Sequence, residues 1–282
     1  MAHIIVPEAE AILDKEFPVL DKGFVRLVDY LGGDARIVQA ARVSYGPGTK
    51  TVREDRALID YLMRHRHTSP FEQVVLTFHA KMPIFVARQW VRHRTARLNE
   101  ISARYSVMEH EFYLPEPGRI RFQSERNRQG SAEEEVPPEL QRRVIQILAR
   151  DQEQAYAGYE EMLRQGVARE LARVNLPVSL YTQWYWQIDL NNLFHFLALR
   201  LDPHAQYEIR AYAEVMAKIA EAVAPLAFKA FRRHVLEGVC LSRKEVKAVR
   251  AMLSGKENPL SGRSRRELAE KLGLREEQDR AR

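Results

Sequence analysis

Residues 71–94 read FEQVVLTFHAKM-PIFVARQWVRHR, and the change of period at Pro83 decides the fold class. Up to Met82 apolar and polar side chains alternate, which predicts a strand over 71–82. Pro83 suits the first turn of a helix. Ile84, Ala87 and Val91 then recur at helical spacing, which predicts a helix over 83–94. Toward the N-terminus, Asp21-Lys22-Gly23 is a turn and Phe24 to Tyr30 alternates as a second strand. Gly32-Gly33 breaks it, and Asp34 is placed to cap a helix running to about Val43. Residues 53–66 carry Leu58, Ile59 and Leu62 on one helical side. Toward the C-terminus, residues 118–138 are polar and end in Pro137-Pro138, so an exposed loop or insertion is expected. Helical patterns follow over 139–165, 168–175, 189–201 and 205–235. Ser242…Glu245 and Ser264…Glu267 read as two capping boxes. Residues 256–263 between them are linker-like, and 264–282 reads as a surface helix or frayed end. Strands early and helices late predict an α+β fold, a single domain with a twisted, mainly antiparallel sheet flanked by helices.

The 282 residues suit one large domain or two small ones, and 45% hydrophobic content supports a sizeable core. No apolar run approaches the length of a membrane span, and no basic start precedes a greasy stretch. The expectation is a cytoplasmic protein with no membrane partner. Cys240 is the only cysteine, so no intrachain disulfide forms. It lies in the helical-looking stretch 231–241 and reads as a small buried apolar residue. The net charge of +6 favours phosphates or other acidic partners without saying which. Neither GxGxxG nor GxxxxGK[ST] occurs, which removes support for a Rossmann dinucleotide fold and for a P-loop. His65 and His67 are close, but HExxH and a Cys/His quartet are both absent, so no metal site is expected.

The stretch QWVRHRTARLNEISARY, residues 89–105, concentrates the chemistry. Gln89, Arg92 and His93 lie three and four apart and would share a helix face. If the second part is extended, Glu100, Ser102 and Arg104 point to one side. Two polar walls result. Arginine forks suit phosphates and planar carbonyl edges. On the residues alone, a charged surface turn and an RNA-binding basic patch stay open beside a small-molecule site.

Arg92-His93-Arg94, seven residues, then Ser102 resembles the signature of the flavin-dependent thymidylate synthases, as do Asn99-Glu100 and Arg104-Tyr105. His65-x-His67-x-Ser69-Pro70-Phe71-Glu72 and Pro83 to Trp90 are similar to that family too. So are Leu176-Pro177, Tyr181-Thr182 and Leu199-Arg200…His204-Ala205-Gln206. The similarity runs over about residues 18–235. It leaves 1–17 as an N-terminal extension, 18–240 as the family-like domain with 118–138 as an insertion, and 241–282 as a charged helical extension outside the shared pattern.

The resemblance implies methylation of deoxyuridine monophosphate (dUMP) to thymidylate. FAD is the redox centre, and NADPH and 5,10-methylenetetrahydrofolate are co-substrates. It implies a homotetramer that acts on small molecules and binds no nucleic acid. Cys240 lacks the neighbours of a thiolate nucleophile, so the uracil ring would be activated by a fixed guanidinium, which stabilises negative charge but cannot act as a base. Carried over by position, Arg200 is the ring activator. Gln89, Trp90, Val91, Arg92, Glu100, Ile101, Ser102, Ala103, Arg104 and Arg173 complete the nucleotide site. Ser102 bonds rather than attacks, since no His-Asp relay is readable near it. FAD falls to Ser69, Arg92, His93, Arg94, Glu100, Asp189, Leu190, Asn191 and His195, with His67 nearby. Arg97 stands where the family often has serine. Asp189-Leu190-Asn191 and His195 depart from a branch carrying Asn-Ala-Arg and a later Asn. Another flavin-dependent nucleotide reductase or methylase, and a basic nucleic-acid-binding module, remain the alternatives.

Overall fold

The computed structural model describes residues 4–43, 52–124 and 130–274. After a short helix α1 (Pro7–Glu10), strands β1 (Glu16–Val19) and β2 (Gly23–Leu31) form a hairpin through the expected turn. Helices α2 (Asp34–Arg42) and α3 (Val52–Arg64) follow. Strand β3 (Val75–Pro83) opens after a 3-10 turn over Phe71–Gln73, and α4 (Ile84–Trp90) begins directly behind Pro83. Next come β4 (Arg97–Glu100), the hairpin β5 (Arg121–Gln123) and β6 (Ser131–Glu135), and the long helix α5 (Pro138–Arg164). Then follow α6 (Arg169–Ala172), β7 (Tyr181–Asp189), α7 (Leu190–Arg200), α8 (Tyr207–Val223) and α9 (Pro225–Phe231). The last described elements are α10 (Arg243–Leu253) and α11 (Gly262–Lys271). The chain divides into two compact units, residues 1–230 and 231–282.

Five strands of the larger unit form one sheet in the order β1-β2-β3-β7-β4, every pairing antiparallel. The period of two sends Leu76, Phe78, Ala80 and Met82 of β3 and Trp184, Trp186 and Ile188 of β7 to one buried face. Trp90, fully buried at the end of α4, is the hub of this core. Its ring lies 5.2–5.9 Å from those of Trp184, Trp186, Phe196 and Tyr212. Truncating it to alanine would cost about 3–5 kcal/mol. Gly23 lets helix α8 come close. A Cβ there would sit 2.0 Å from the Tyr212 hydroxyl, which donates to the Lys81 carbonyl at 2.7 Å.

Several expectations are corrected. The Tyr181-Thr182 motif opens a full strand that the sequence reading does not include, and this strand, β7, is the central partner of β3 over nine register pairs. The 118–138 segment is not simply a loop, because β5 and β6 pair within it. The helix expected over 83–94 stops at Trp90. The single helix expected over 205–235 divides at Ala224, because Pro225 has no N–H to continue the ladder; after α9, a π-turn runs over Arg232–Leu236. Asp34 caps no bond in its own helix. Its carboxylate accepts the N–H groups of Leu226 (2.7 Å) and Ala227 (2.9 Å) at the start of α9, 192 and 193 residues downstream. Burial pushes that carboxyl above the usual range, against the pull of the two amides.

In the smaller unit, Cys240 is exposed rather than buried and lies outside any helix. The Ser242 capping box forms with both of its bonds, Glu245 Oε2 accepting from Ser242 N–H at 2.6 Å. The box at Ser264 does not, because α11 starts earlier, after Ser261. Residues 275–282 of the expected tail helix lie outside the described residues.

Candidate active site

Two clefts carry most of the candidate residues. The first, of about 300 Å³, opens between the turn after α4 and one side of α7. It is lined by Arg92, His93, Arg94, Thr95, Ile188, Asn192, His195, Leu199 and Arg200. Three guanidiniums and two imidazoles face it, and none of its lining residues is acidic. Asp189 fixes α7 by accepting from the Asn192 N–H at 2.9 Å and from the Asn192 side chain at 2.7 Å. Such a cap is worth about 1 kcal/mol.

Inside this cleft Arg200 is held from two sides. Its Nε donates to His93 Nε2 at 3.1 Å, and its Nη2 donates to the Gln89 carbonyl at 3.2 Å. Burial, then the positive charge of Arg200, then His195 lower the His93 pKa to about 4. His93 is therefore neutral near pH 7, with Nε2 free to accept the Arg200 bond. Its ring rests edge-on against Phe196 at 4.9 Å. Burial also lowers the Arg200 pKa, though a guanidinium keeps its charge.

The second cleft, of about 420 Å³, is lined by Ile84, Glu100, Ile101, Ala103, Met108, Glu170, Arg173, Val174, Leu176, Leu180 and Thr182. Here both signs of charge are present and the walls are mostly apolar. The buried Thr182 hydroxyl donates to Glu100 Oε1 at 2.6 Å. Arg104 pairs with Glu170 at 3.0 Å, and Arg169 donates to the Tyr105 carbonyl at 3.1 Å. Thr182 of the second cleft and Ile188 of the first lie six residues, about 20 Å, apart along β7.

The expected walls are corrected in detail. Gln89 sits on α4, whereas Arg92 and His93 lie in the turn beyond its end, so the three do not share a helical face. Strand β4 ends at Glu100, so Ser102 and Arg104 do not alternate with it. They form a turn in which Ser102 Oγ accepts the Arg104 N–H at 3.3 Å. The first cleft gathers Arg92, His93, Arg94, His195 and Arg200, and the second gathers Glu100, Ile101, Ala103 and Arg173. Neither includes His67, Ser69, Gln89, Val91 or Asn191. The Trp90 indole and the Leu190 side chain are sealed in the core, leaving their backbones as the only groups to offer. The Gln89 side chain bonds Gln206. Sequence reasoning missed Asn192, the neighbour of the expected Asn191, although it lies three residues before His195 on the same helical side. It also missed the apolar walls of the second cleft. Among the described residues, no three His, Cys, Asp or Glu side chains gather as a metal site, and no helix is long and apolar enough to cross a membrane.

Comparison with known proteins follows the same outline. The family model described as thymidylate synthase complementing protein matches residues 26–226. A second, the thymidylate synthase ThyX C-terminal domain, matches 239–276, so the tail beyond 240 carries a family pattern of its own. The chain is 63% identical to the flavin-dependent thymidylate synthase of Treponema denticola, over 92% of this chain and 98% of the relative. It is 60% identical to that of Thermus thermophilus, over 84% of this chain and 86% of the relative. Among solved structures, a UMP/dUMP methylase, PolB from Streptomyces cacaoi bound with 5-Br dUMP, superposes with a TM-score of 0.71 at 35% identity. That match covers 78% of this chain and 98% of the other.

Proposed function

This chain belongs to the flavin-dependent thymidylate synthase family, and on that premise we propose how its own residues divide the work of methylating dUMP with a one-carbon unit from 5,10-methylenetetrahydrofolate. The enzyme is a dUMP methyltransferase and a flavoprotein. The observation that carries the proposed mechanism is Arg200, pinned by a neutral imidazole and a backbone carbonyl in a cleft without a carboxylate.

The donor set of the first cleft fits FAD. Arg92 and Arg94 answer a pyrophosphate, and His93, Asn192 and His195 offer bonds to a polar heteroaromatic ring. Ser69, Glu100, Asp189, Leu190, Asn191 and His67 would complete the holding set, Asp189 through its grip on α7. When bound, the flavin supplies the hydride that completes the methyl group, which no side chain can provide. NADPH would restore its reduced state.

Carbon 5 of uracil is a weak nucleophile. Arg200 would place a fixed positive charge against the ring carbonyls and N3, stabilising the negative charge that develops as carbon 5 attacks. Because His93 takes up one of the guanidinium's bonds, the charge is oriented before substrate arrives and reorganises little. Cys240 is exposed, and the two charged residues that share its pocket, Glu245 and Lys271, are paired with each other at 2.7 Å, which favours this electrostatic route over thiolate addition. Arg173, Glu100, Ser102 and Arg104 would hold the nucleotide, with Gln89, Val91, Ile101 and Ala103 at its edges.

Arg200 and Arg173 line different clefts of one chain. A homotetramer in which one copy's Arg200 meets another copy's Arg173 cleft would bring both arginines to one nucleotide. The sheet's second face supports such association. Along it Arg26, His79 and Gln183 are bonded in a row and Tyr185, 46% exposed, stacks on His79 at 4.8 Å.

The test is thymidylate formation by purified protein with and without methylenetetrahydrofolate, followed alongside its visible spectrum. A yellow protein that bleaches on adding NADPH and methylates dUMP only with the folate is expected. Methylation without folate, or a colourless active protein, would refute the reading and favour a different nucleotide methylase.

A further inference from the structure

The chain's entire excess of positive charge lies in its smaller unit. Of 44 Lys and Arg and 38 Asp and Glu, fourteen and eight fall within residues 231–282, leaving thirty of each in 1–230. The larger unit, which holds both clefts, is formally neutral. The basic excess, which the sequence reading left open between nucleic acid and small anionic substrates, therefore lies outside the unit that holds the clefts.

Within that body the charge is organised. Arg243, Lys247 and Arg250 recur at i, i+4 and i+7 along α10, with Lys244 beside Lys247, so they form one stripe. The opposite side of the helix carries the buried Glu245 and Ala248. On α11, Arg265 and Arg266 add to the exposed positive surface. Lys271 and Arg263 are neutralised locally, by Glu245 at 2.7 Å and Glu267 at 2.6 Å. The other six, Arg243, Lys244, Lys247, Arg250, Arg265 and Arg266, are exposed and have no carboxylate partner among the described residues. An ordinary solvated face mixes both signs. Like charges at i, i+3 and i, i+4 cost a helix a few tenths of a kcal/mol per pair, so this stripe does not serve the stability of α10.

We propose that α10 and α11 form a docking surface for duplex DNA, held through its phosphate backbone. Three observations favour that partner. A helix with its side chains is about 10–12 Å across, which the roughly 12 Å major groove of B-DNA admits and the narrow major groove of duplex RNA does not. Single strands are held by bases stacked on aromatic rings, and Phe231, itself 1% exposed, is the only Phe, Tyr or Trp in the unit. A membrane-surface helix needs bulky apolar residues on the side opposite its charges, and in α10 that side is turned into the unit around Ala248 and Glu245.

The experiment is fluorescence anisotropy of a fluorescein-labelled duplex DNA of about 20 base pairs and arbitrary sequence, titrated with the full chain between about 50 and 200 mM KCl. Micromolar binding that falls steeply with salt is expected. The K244Q/K247Q/R250Q variant should bind at least about tenfold more weakly at about 100 mM KCl, and its log–log salt slope should be shallower by about 2–3. Its thymidylate formation should be unchanged. The K244R/K247R variant should bind as the parent does, which separates charge from folding. Undetectable binding by the parent at about 50 mM KCl would overturn the proposal. So would equal binding by the glutamine variant, tighter binding to single-stranded DNA or duplex RNA of the same length, or binding to phosphatidylserine vesicles in place of the duplex.

Discussion

The two clefts of the larger unit differ in how their charges are settled before any ligand arrives. The Glu100–Arg173 cleft is largely self-satisfied. Its glutamate already accepts from Thr182, the rim arginine Arg104 is paired with Glu170, and its walls are apolar. The Arg92–Arg200 cleft is lined by cations, neutral polar groups and two apolar side chains but no carboxylate, so its electrostatics are completed from outside. A prepaired cleft selects by shape and by a few fixed bonds. A one-sign cleft attracts anions and keeps its charge available for a transition state.

The largest effect expected from that contrast is at Arg200. Arg200→Ala should lower turnover by about 10²–10³-fold or more while flavin absorbance is retained. Undiminished turnover would end its assigned role. Arg173→Ala should act mainly through substrate binding, raising KM for dUMP by about tenfold or more, as loss of a charge-assisted bond implies. If kcat falls and KM does not, the division between the clefts is wrong. Mixing these two inactive or impaired variants sharpens the point. Sites shared between copies should regain activity after subunit exchange, whereas sites within single chains should not.

The smallest effect concerns protons. His93 should titrate near pH 4 when followed by NMR, below the ordinary histidine value. Its folded pKa is depressed relative to the unfolded chain. The unfolded state therefore binds a proton first as pH falls, and the associated stability is full above about pH 6.5 and lost on the way down to about 4. A titration near the ordinary value of about 6.5 would mean that the ring is not held buried beside Arg200 in solution.

Candidate site and fold were legible in the sequence by different means. Arg92 to Arg94 and Arg200 could be singled out because a resemblance named them, and the structure does bring them together in one cleft. Strands β2 and β3 and helices α5 and α7 were legible from period alone, whereas β1 was not read as a strand. Strand β7 carries an equally clear alternation, with Trp184, Trp186 and Ile188 inward and Gln183, Tyr185 and Gln187 outward. It is masked because the chain around it is helical. The end of α4 at Trp90 was illegible for another reason. Val91 keeps the helical spacing, but the chain has to turn there to bring β4 alongside β7, and that is a long-range demand. The second cleft's apolar lining comes from several separate elements and loops, so no local pattern could announce it.

Asp34 ties the chain's first third to its last. Its carboxylate finds its two amide donors only when residues 226 and 227 are in place. At ribosomal speeds of about 5–20 residues per second, the group waits about 10–40 s after its own synthesis for those partners. Until then the pocket it will occupy must stay open to water. The larger unit is thus built to close late, after α8 and α9 have been made, rather than to grow layer by layer from its N-terminal hairpin.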